Sequence, residues 1–343
     1  MLNRIFRLEE NGTDLKREVL GGATTFMTMA YIVFVQPLIL GAAGMDMGAV
    51  MVATCLASAL SCFVMAFLAN YPIALAPGMG SNVFFSYAVV LGLGYTWQQA
   101  LGAVFISGTL FILLSSVGLR EAVVNSLPES LKNAIAVGIG MMISVVGLEW
   151  AGIVVDNPNT LVALGDLTSG PTLLSLFGLF LMISLFALGY RSAILFGILL
   201  TLAGGLVTGL IEFTGVFGGI PSLEPTLFQL DILSALSLEM LPVVFVFFFL
   251  DLFDTVGTLT GVSKEAGFLR EDGSLPRARQ ALLSDAVGTV AGSLMGTSTI
   301  TSYVESATGI SSGARTGLAS VVTGFLLILA LFFSPLLEMV GGS

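Results

Sequence analysis

Three carboxylates stand in stretches of this chain that are too apolar to remain in water. Asp251 and Asp254 lie in the run PVVFVFFFLDLFDTVGTL, and Glu305 lies in the charge-poor run GTSTITSYVESATG. An ionisable group at membrane depth carries a large free-energy cost unless it faces a partner, a cavity or an ion path. These three side chains are therefore the first candidates for a functional site.

The two aspartates are placed to share a proton. Asp251 and Asp254 are three residues apart, so on a helix they lie on one face, with Cβ atoms about 5 to 6 Å apart. Two partly desolvated carboxylates this close are not expected to be ionised together at neutral pH, and one of them can carry a proton. The structural alternative is that an aspartate pins a neighbouring helix by accepting its backbone N–H groups.

Glu305 follows a run of β-branched and hydroxyl side chains that ends at Ser302. Such a run favours extended backbone, and Glu305 is then expected to open the following half-helix, where free N–H groups stabilise a negative charge. Glu305 either caps that half-helix or presents an acceptor to a substrate. Asn82, close to Gly80 in an earlier interrupted segment, occupies the equivalent place with an amide.

Those interrupted segments are the third and tenth of the predicted membrane spans. The third contains Pro77 and Gly78 and directly follows Pro72, and the tenth follows Gly296. Proline removes a backbone donor, and non-helical backbone within a membrane needs protein or water to satisfy it. Interrupted spans at corresponding places of two halves are typical of the binding site of an inverted-repeat transporter.

The composition places these segments in a polytopic membrane protein. Hydrophobic residues make up 56% of the 343 residues, charged residues 10%, and the mean hydropathy is +1.00. Long unbroken apolar runs without alternation favour helices over a barrel, so the fold class is all-α. The predicted spans are 19–40, 50–70, 73–91, 97–118, 130–149, 171–189, 192–212, 239–260, 281–296, 298–312 and 314–334, with a twelfth beginning near Pro335.

The charges of the loops predict the orientation of the chain. All twelve cations fall before the first span, in alternate loops or at the span ends beside those loops, and the charged residues of the other loops are all acidic. The cations are Arg4, Arg7, Lys16, Arg17, Arg120, Lys132, Arg191, Lys264, Arg270, Arg277, Arg279 and Arg315. The positive-inside rule then predicts a cytoplasmic N-terminus. The sequence offers no basic patch for nucleic acid.

The residue types of the spans narrow the class of substrate. Apart from Lys132 and Arg315, which lie at the very start of the spans 130–149 and 314–334, the predicted spans contain no Lys or Arg, and the chain contains no His. No fixed cation is therefore expected at the centre of the membrane for a phosphate or carboxylate ligand. Carboxylates and an amide suit a neutral ligand with several N–H donors, such as a purine edge, or a cation. The aromatic residues that could stack on a planar ring are Phe26, Tyr31, Phe84, Phe85, Phe249, Phe253 and Tyr303. No cofactor or metal is expected.

Four long motifs are recognisable. They are GGATTFMTMAYIVFVQP, NYPIALAPGMGSNVFFSY, FFFLDLFDTVGTLTGVSKEAG and TSTITSYVESATGISSGARTGLASVVTG. In them the chain resembles the adenine/guanine/hypoxanthine permeases, the AzgA-like branch of the nucleobase-cation symporter 2 (nucleobase/ascorbate transporter, xanthine/uracil permease) superfamily. The resemblance implies fourteen spans in two inverted repeats of seven, core and gate domains, short strands in spans three and ten, and proton-coupled uptake of purine bases.

The resemblance also implies a domain organisation. Residues 1–18 form a cytoplasmic segment, 19–212 the first repeat, and 239–343 an incomplete second repeat, because the chain reaches Ser343 within the twelfth span. The first span departs from the family pattern, since Gln36-Pro37 stands where Asn-Pro is usual.

The expected site follows residue by residue. The family's substrate carboxylates fall on the eighth span and on Glu305, and its asparagine falls on Asn82. Alignment places Asp254 against the glutamate of uracil-type relatives and Asp251 at the acidic position of the purine branch, without deciding which contacts substrate. The predicted substrate-binding residues are Asn82, Asp251, Asp254, Glu305, Ser302 and Gly80, and the predicted proton-coupling residues are Asp251, Asp254 and Glu305.

The predicted function is a purine nucleobase:proton symporter of the plasma membrane, not an enzyme. Its partners are the base, the proton and the lipid bilayer, and the sequence leaves a homodimer open. One alternative is an anion exchanger of the same fold, which acidic residues at the site disfavour. Another is an intramembrane aspartyl protease, which requires its two aspartates on different helices. A channel is a third alternative.

Overall fold

The computed structural model describes residues 2–116, 129–190, 192–270 and 274–341, and most of them are helical. The α-helices, numbered in chain order, are α1 Leu2–Phe6, α2 Leu15–Met29, α3 Ile32–Gly41, α4 Met47–Val64, α5 Met79–Val83, α6 Trp97–Ser116, α7 Glu129–Trp150, α8 Gly170–Ala187, α9 Ala193–Thr208, α10 Ile232–Ala235, α11 Leu241–Glu265, α12 Ala278–Met295, α13 Ser306–Ser311, α14 Gly317–Leu329 and α15 Ser334–Gly341. The strands are β1 Leu75–Pro77, β2 Val154–Asn157, β3 Leu161–Leu164 and β4 Ile300–Ser302.

Six stretches of helix are long and apolar enough to cross a membrane within the described ranges. They are Leu15–Ala42, Met47–Ala69, Trp97–Ser115, Gly170–Ala187, Leu241–Glu265 and Gly317–Leu337. The all-α, polytopic class predicted from composition is confirmed. Arg120 and Arg191, two of the cations from which the orientation is predicted, lie outside the described residues. Ser343 and the predicted end of the fourth span also lie outside them.

The first predicted span, 19–40, lies within one stretch of helix, Leu15–Ala42, whose regular hydrogen bonding has a break at Ala30 and Tyr31. The α-helix α2 ends at Met29 and α3 begins at Ile32. Two short-range bonds, from Val33 N to the Ala30 carbonyl and from Phe34 N to the Tyr31 carbonyl, tighten the junction. Pro37 lies inside α3 and supplies no N–H to the turn before it, which weakens the helix on that side. The break leaves Tyr31 at the junction.

The two extended segments of spans three and ten pair with each other. β1 and β4 are antiparallel, with Leu75 opposite Ser302 and Pro77 opposite Ile300. Bonds of 3.0 Å from Gly78 N to the Thr299 carbonyl and from Tyr303 N to the Ala74 carbonyl extend the ladder at both ends. The short strands implied by the resemblance are therefore present, and each satisfies the other's backbone groups inside the protein.

A second strand pair lies between α7 and α8, where the sequence predicts only a loop. β2 and β3 form an antiparallel hairpin with Val154 opposite Leu164. Most of its side chains are exposed or partly exposed. Because so little of the β2–β3 hairpin is buried, its sequence lacks the apolar periodicity that indicates a buried element.

Small residues allow the helices of the core to approach closely. The GxxxG face of α12 lies against α4 and β4: a Cβ built on Gly288 would lie 2.9 Å from the Ile300 side chain, and one on Gly292 would lie 3.3 Å from it. At the start of α14, a Cβ on Gly317 would lie 2.6 Å from the Ala66 Cα in the second span. At Gly288 and Gly317 a Cβ atom would force neighbouring atoms to shift, and at Gly292 it would be tightly packed, so glycine permits the close approach of these helices.

We expect Gly317→Ala to destabilise the protein, because the contacting atoms belong to backbone and cannot move aside. Overpacking of this kind costs about 1 to 3 kcal/mol, which for a chain of this length lowers the midpoint of thermal unfolding by about 1 to 4 °C. The measurement is thermal unfolding of detergent-solubilised protein. The control is Gly257→Ala in α11, where nothing lies within 4 Å of the built Cβ. An unchanged midpoint for Gly317→Ala would contradict the close approach.

Candidate functional site

Asp254 extends from α11 to the strand pair. Its carboxylate accepts a hydrogen bond from the Thr301 side chain in β4. A Cβ built on Gly78, the residue after β1, would lie 3.1 Å from Asp254 Oδ2. Because Gly78 has no side chain, the carboxylate can lie directly against the backbone where β1 ends.

Glu305 lies at the opposite end of β4, at the first turn of α13. Its side chain makes no capping hydrogen bond to that helix. Instead Oε1 accepts the hydroxyl of Tyr31 at 2.8 Å, and the Glu305 charge acts on Asp254. The position at the start of a half-helix is as expected, but the capping interpretation of this carboxylate is wrong.

Two tyrosines accompany the carboxylates. Tyr31 lies at the break between α2 and α3 and interacts with both Glu305 and Asp254. Tyr303 is buried, donates its hydroxyl to the Pro77 carbonyl at 2.6 Å and lies within range of the same two charges. These two rings, of the seven aromatic candidates, are the ones that the structure places beside the carboxylates.

The other aromatic candidates contact further aromatic side chains or lie in an apolar cluster. Phe84 and Phe85 contact Phe247 with ring centroids 5.1 and 6.3 Å apart. Phe249 and Phe253 contact each other at 5.8 Å. Phe26 lies partly buried beside Tyr31 and Tyr303 in the same apolar cluster.

Asn82 lies in α5, fully buried, within a network of polar side chains from four spans. The Ser298 hydroxyl donates to Asn82 Oδ1. Gln36 of α3 donates from Nε2 to Thr297 Oγ1 at 2.9 Å and to Ser298 Oγ at 3.4 Å. Thr54 of α4 completes the network with a contact of 3.4 Å to Thr297 Oγ1.

Asp251 is fully buried, on the face of α11 that it shares with Thr255 one turn later. The Thr255 hydroxyl donates to Asp285 Oδ1 of α12 at 2.8 Å. Asp285 is also fully buried, and sequence reasoning missed it, although it lies in the predicted span 281–296 and meets the criterion applied to the other carboxylates. The acid that acts on Asp254 at the strand pair is Glu305.

The remaining predicted site residues lie in the same region. Ser302 is buried in β4 opposite Leu75, and its hydroxyl has no hydrogen-bond partner among the described residues. Gly80 is buried in α5, between Gly78 and Asn82. The structure brings Asp254, Glu305 and Ser302 to the strand pair, with Asn82 one turn beyond it.

Comparison with known proteins identifies the family of this site. The model of the xanthine/uracil permease family matches residues 16–342. The chain belongs to this permease family. It is 46% identical to the guanine/hypoxanthine permease PbuG of Bacillus subtilis, over 99% of the chain and 80% of that protein, and 43% identical to the adenine permease AdeP of Escherichia coli, over 100% and 77%.

The chain is also similar to a further relative and to a solved structure. A putative permease of Methanocaldococcus jannaschii is 52% identical over 99% of the chain and 78% of its own length. The transmembrane domain of the cyanobacterial bicarbonate transporter BicA superposes with a TM-score of 0.70 at 17% identity, covering 96% of the chain and 86% of that domain. The latter likeness concerns the fold alone. This permease is thus an integral membrane transporter and not an enzyme.

One buried carboxylate of the permease has a structural role that the sequence did not reveal. Glu18 was placed in the cytoplasmic segment 1–18, but α2 begins at Leu15 and Glu18 is fully buried. Its carboxylate accepts the backbone N–H groups of Arg315, Thr316 and Ala319 at 2.7 to 3.3 Å. Glu18 therefore caps the start of α14, and the capping interpretation weighed for Glu305 applies here.

We expect Glu18→Ala to lower the thermal midpoint of the permease by about 5 to 10 °C, because hydrogen bonds to a charged group contribute about 1.5 to 3 kcal/mol each. The matched control is Glu10→Ala, whose carboxylate forms an exposed ion pair with Arg7 at 3.8 Å and should have little effect. Equal midpoints for the two variants would contradict the capping role.

Proposed function

We propose that this permease carries purine nucleobases into the cell in symport with protons, across the plasma membrane and with its N-terminus in the cytoplasm. The observation that carries the proposal is the position of Asp254 and Glu305, which come from separate spans and lie at opposite ends of the strand pair, where the charge of one acts on the other. The names of the relatives, which are guanine/hypoxanthine and adenine permeases, support purines as the substrate class.

The arrangement of acceptors suits the N–H groups of a purine. Tyr31 engages Oε1 of Glu305, which leaves Oε2 for an N–H of the base. A ring N–H and an adjacent N–H can pair with a carboxylate in a bidentate manner. The rings of Tyr31 and Tyr303 lie beside the carboxylates and offer planar apolar surfaces to the same ligand.

The same carboxylates support coupling to protons. Asp254 and Glu305 interact with each other away from bulk water, and two such acids favour retention of a proton between them. A base that binds to one carboxylate changes the proton affinity of the other, so substrate and proton occupancy are linked. We include Asp251 in the proposed acidic set because it is a fully buried acid of the same helix, one turn before Thr255.

The topology of the site supports the inverted-repeat organisation. β1 follows the second span and leads into α5, and β4 follows α12 and leads into α13. The two strands run antiparallel, as segments related by an axis in the membrane plane would. We therefore propose 19–212 as the first repeat and the chain from residue 239 onward as part of the second.

Anion exchange is the competing function for this fold. A site for an anion requires fixed cations or unopposed helix N-termini. The ionisable side chains that converge on the strand pair in the described residues are instead acids and tyrosines. This arrangement disfavours an anionic ligand.

We expect Glu305→Gln to reduce hypoxanthine uptake at least about 10-fold, because a charge-assisted acceptor contributes about 1.5 to 3 kcal/mol. The assay is uptake of radiolabelled hypoxanthine, guanine and adenine into proteoliposomes under an imposed pH gradient. Glu224→Gln, at an exposed position, is the control. Undiminished uptake by Glu305→Gln would refute its role in binding.

Asp254→Asn should separate transport from coupling. We expect concentration of the base driven by a pH gradient to fall at least about 10-fold, since the site then lacks one of its two titrating acids. Exchange of internal for external base at equal pH should persist. The two assays use the same proteoliposomes. Retention of gradient-driven accumulation would exclude Asp254 as the coupling residue.

A further inference from the structure

Asn82 lies at the end of a chain of hydrogen bonds that begins in α3. Gln36 donates from Nε2 to the hydroxyl of Ser298, and that hydroxyl donates to Asn82 Oδ1. The other contact of Gln36 Nε2 is Thr297 Oγ1 at 2.9 Å. All four side chains are fully buried, so each bond is formed within the protein.

The direction of each bond in this chain determines the next. An amide nitrogen only donates, so Gln36 leaves the proton of the Ser298 hydroxyl for a second acceptor, which is Asn82 Oδ1. With the Gln36 amide turned around, its oxygen would take that proton, and Ser298 would accept from the Asn82 nitrogen instead. The orientation of Gln36 thus favours engagement of one end of the Asn82 amide, which in the structure is its oxygen.

The engaged oxygen leaves the amide nitrogen of Asn82 for a ligand. Its contact among the described residues is Met79 Sδ at 4.0 Å, and a thioether is a weak acceptor. Asn82 lies one helical turn after Gly78, to whose carbonyl its N–H is bonded, and Gly78 is the residue beside Asp254 Oδ2. A buried N–H donor without a strong acceptor needs one from elsewhere.

We infer that Gln36 is a positioning residue that, through Ser298, orients Asn82 as a hydrogen-bond donor to an unprotonated ring nitrogen of the nucleobase. The inference rests on the proposed function and specifies the edge of the base that Asn82 recognises. Asp254 and Glu305 accept from the N–H groups of the base, and Asn82 supplies the complementary donor. A ligand with N–H groups but without that ring acceptor is then rejected, because the Asn82 nitrogen would stay unsatisfied.

If the network only packed the four spans together, a substitution in it would change the affinity for all ligands by the same factor. The distinguishing quantity is therefore the ratio of affinities for bases that differ in one ring nitrogen. In 3-, 7- and 9-deazahypoxanthine a C–H group replaces the ring nitrogen N3, N7 or N9, respectively, while the carbonyl of hypoxanthine is kept. Each analogue removes an acceptor at one position of the base.

The test is competition of these analogues with radiolabelled hypoxanthine for the purified, detergent-solubilised permease. We expect the wild type to bind one of them at least about 10-fold more weakly than hypoxanthine, as sites with a dedicated donor do. In Gln36→Met and in Ser298→Ala, we expect that ratio to fall below about 3-fold, because Asn82 is no longer held with its nitrogen toward the base.

Thr54→Val is the matched control. Thr54 contacts Thr297 in the same network at 3.4 Å but lies off the path from Gln36 to Asn82, and valine has nearly the same shape. It should keep the wild-type ratio. The two test variants lie in different parts of the chain, α3 and the segment before β4. If one of them fails to fold, the other remains as the test.

The outcomes separate the inference from the proposed function. If both variants bind every base more weakly by a common factor, or if the wild type discriminates against none of the analogues, the positioning role is overturned and purine binding stands. If the wild type binds no purine base, the proposed function and the inference fail together.

Discussion

The structure depends on the pairing of two short strands inside the membrane-spanning part of the chain. Extended backbone exposes N–H and C=O groups that lipid cannot satisfy. β1 and β4 satisfy one another, and bonds at Gly78 and Tyr303 continue the ladder beyond the strands. Because the backbone groups of the two strands are hydrogen-bonded, two spans can each be interrupted. Their side chains then converge instead of facing outward from continuous helices.

The same pairing sets the electrostatics of the site. It brings Thr301 to Asp254 and places Glu305 within reach of Tyr31. The hydrogen-bond partners of these acids are hydroxyl groups, whereas the ion pairs of Arg7 and Arg17 lie on exposed side chains. Acids that are hydrogen-bonded but not neutralised can exchange a proton and accept from a ligand, whereas a tight ion pair would do neither readily.

Burial alone does not distinguish a functional acid from a structural one. Glu18 is fully buried, and its oxygens are occupied by the backbone N–H groups that begin α14. Asp285 is fully buried and holds the hydroxyl of Thr255. Glu305 differs because its side chain leaves its own helix uncapped and extends toward a tyrosine across the site. These buried acids therefore differ in their hydrogen-bond partners, and the tertiary structure determines which partner each acid has.

The sequence by itself determined the membrane class, the positions of most spans and the two interrupted segments, because hydropathy, proline and β-branched runs act locally along the chain. It also singled out Asp254, Glu305 and Asn82 as candidate site residues, since a polar group at membrane depth is recognisable without its neighbours. It could not foresee the break at Tyr31, the cap formed by Glu18, or the chain of hydrogen bonds from Gln36 to Asn82. Those features join residues up to 301 positions apart, and only the tertiary structure, in which buried polar groups must find partners, decides them.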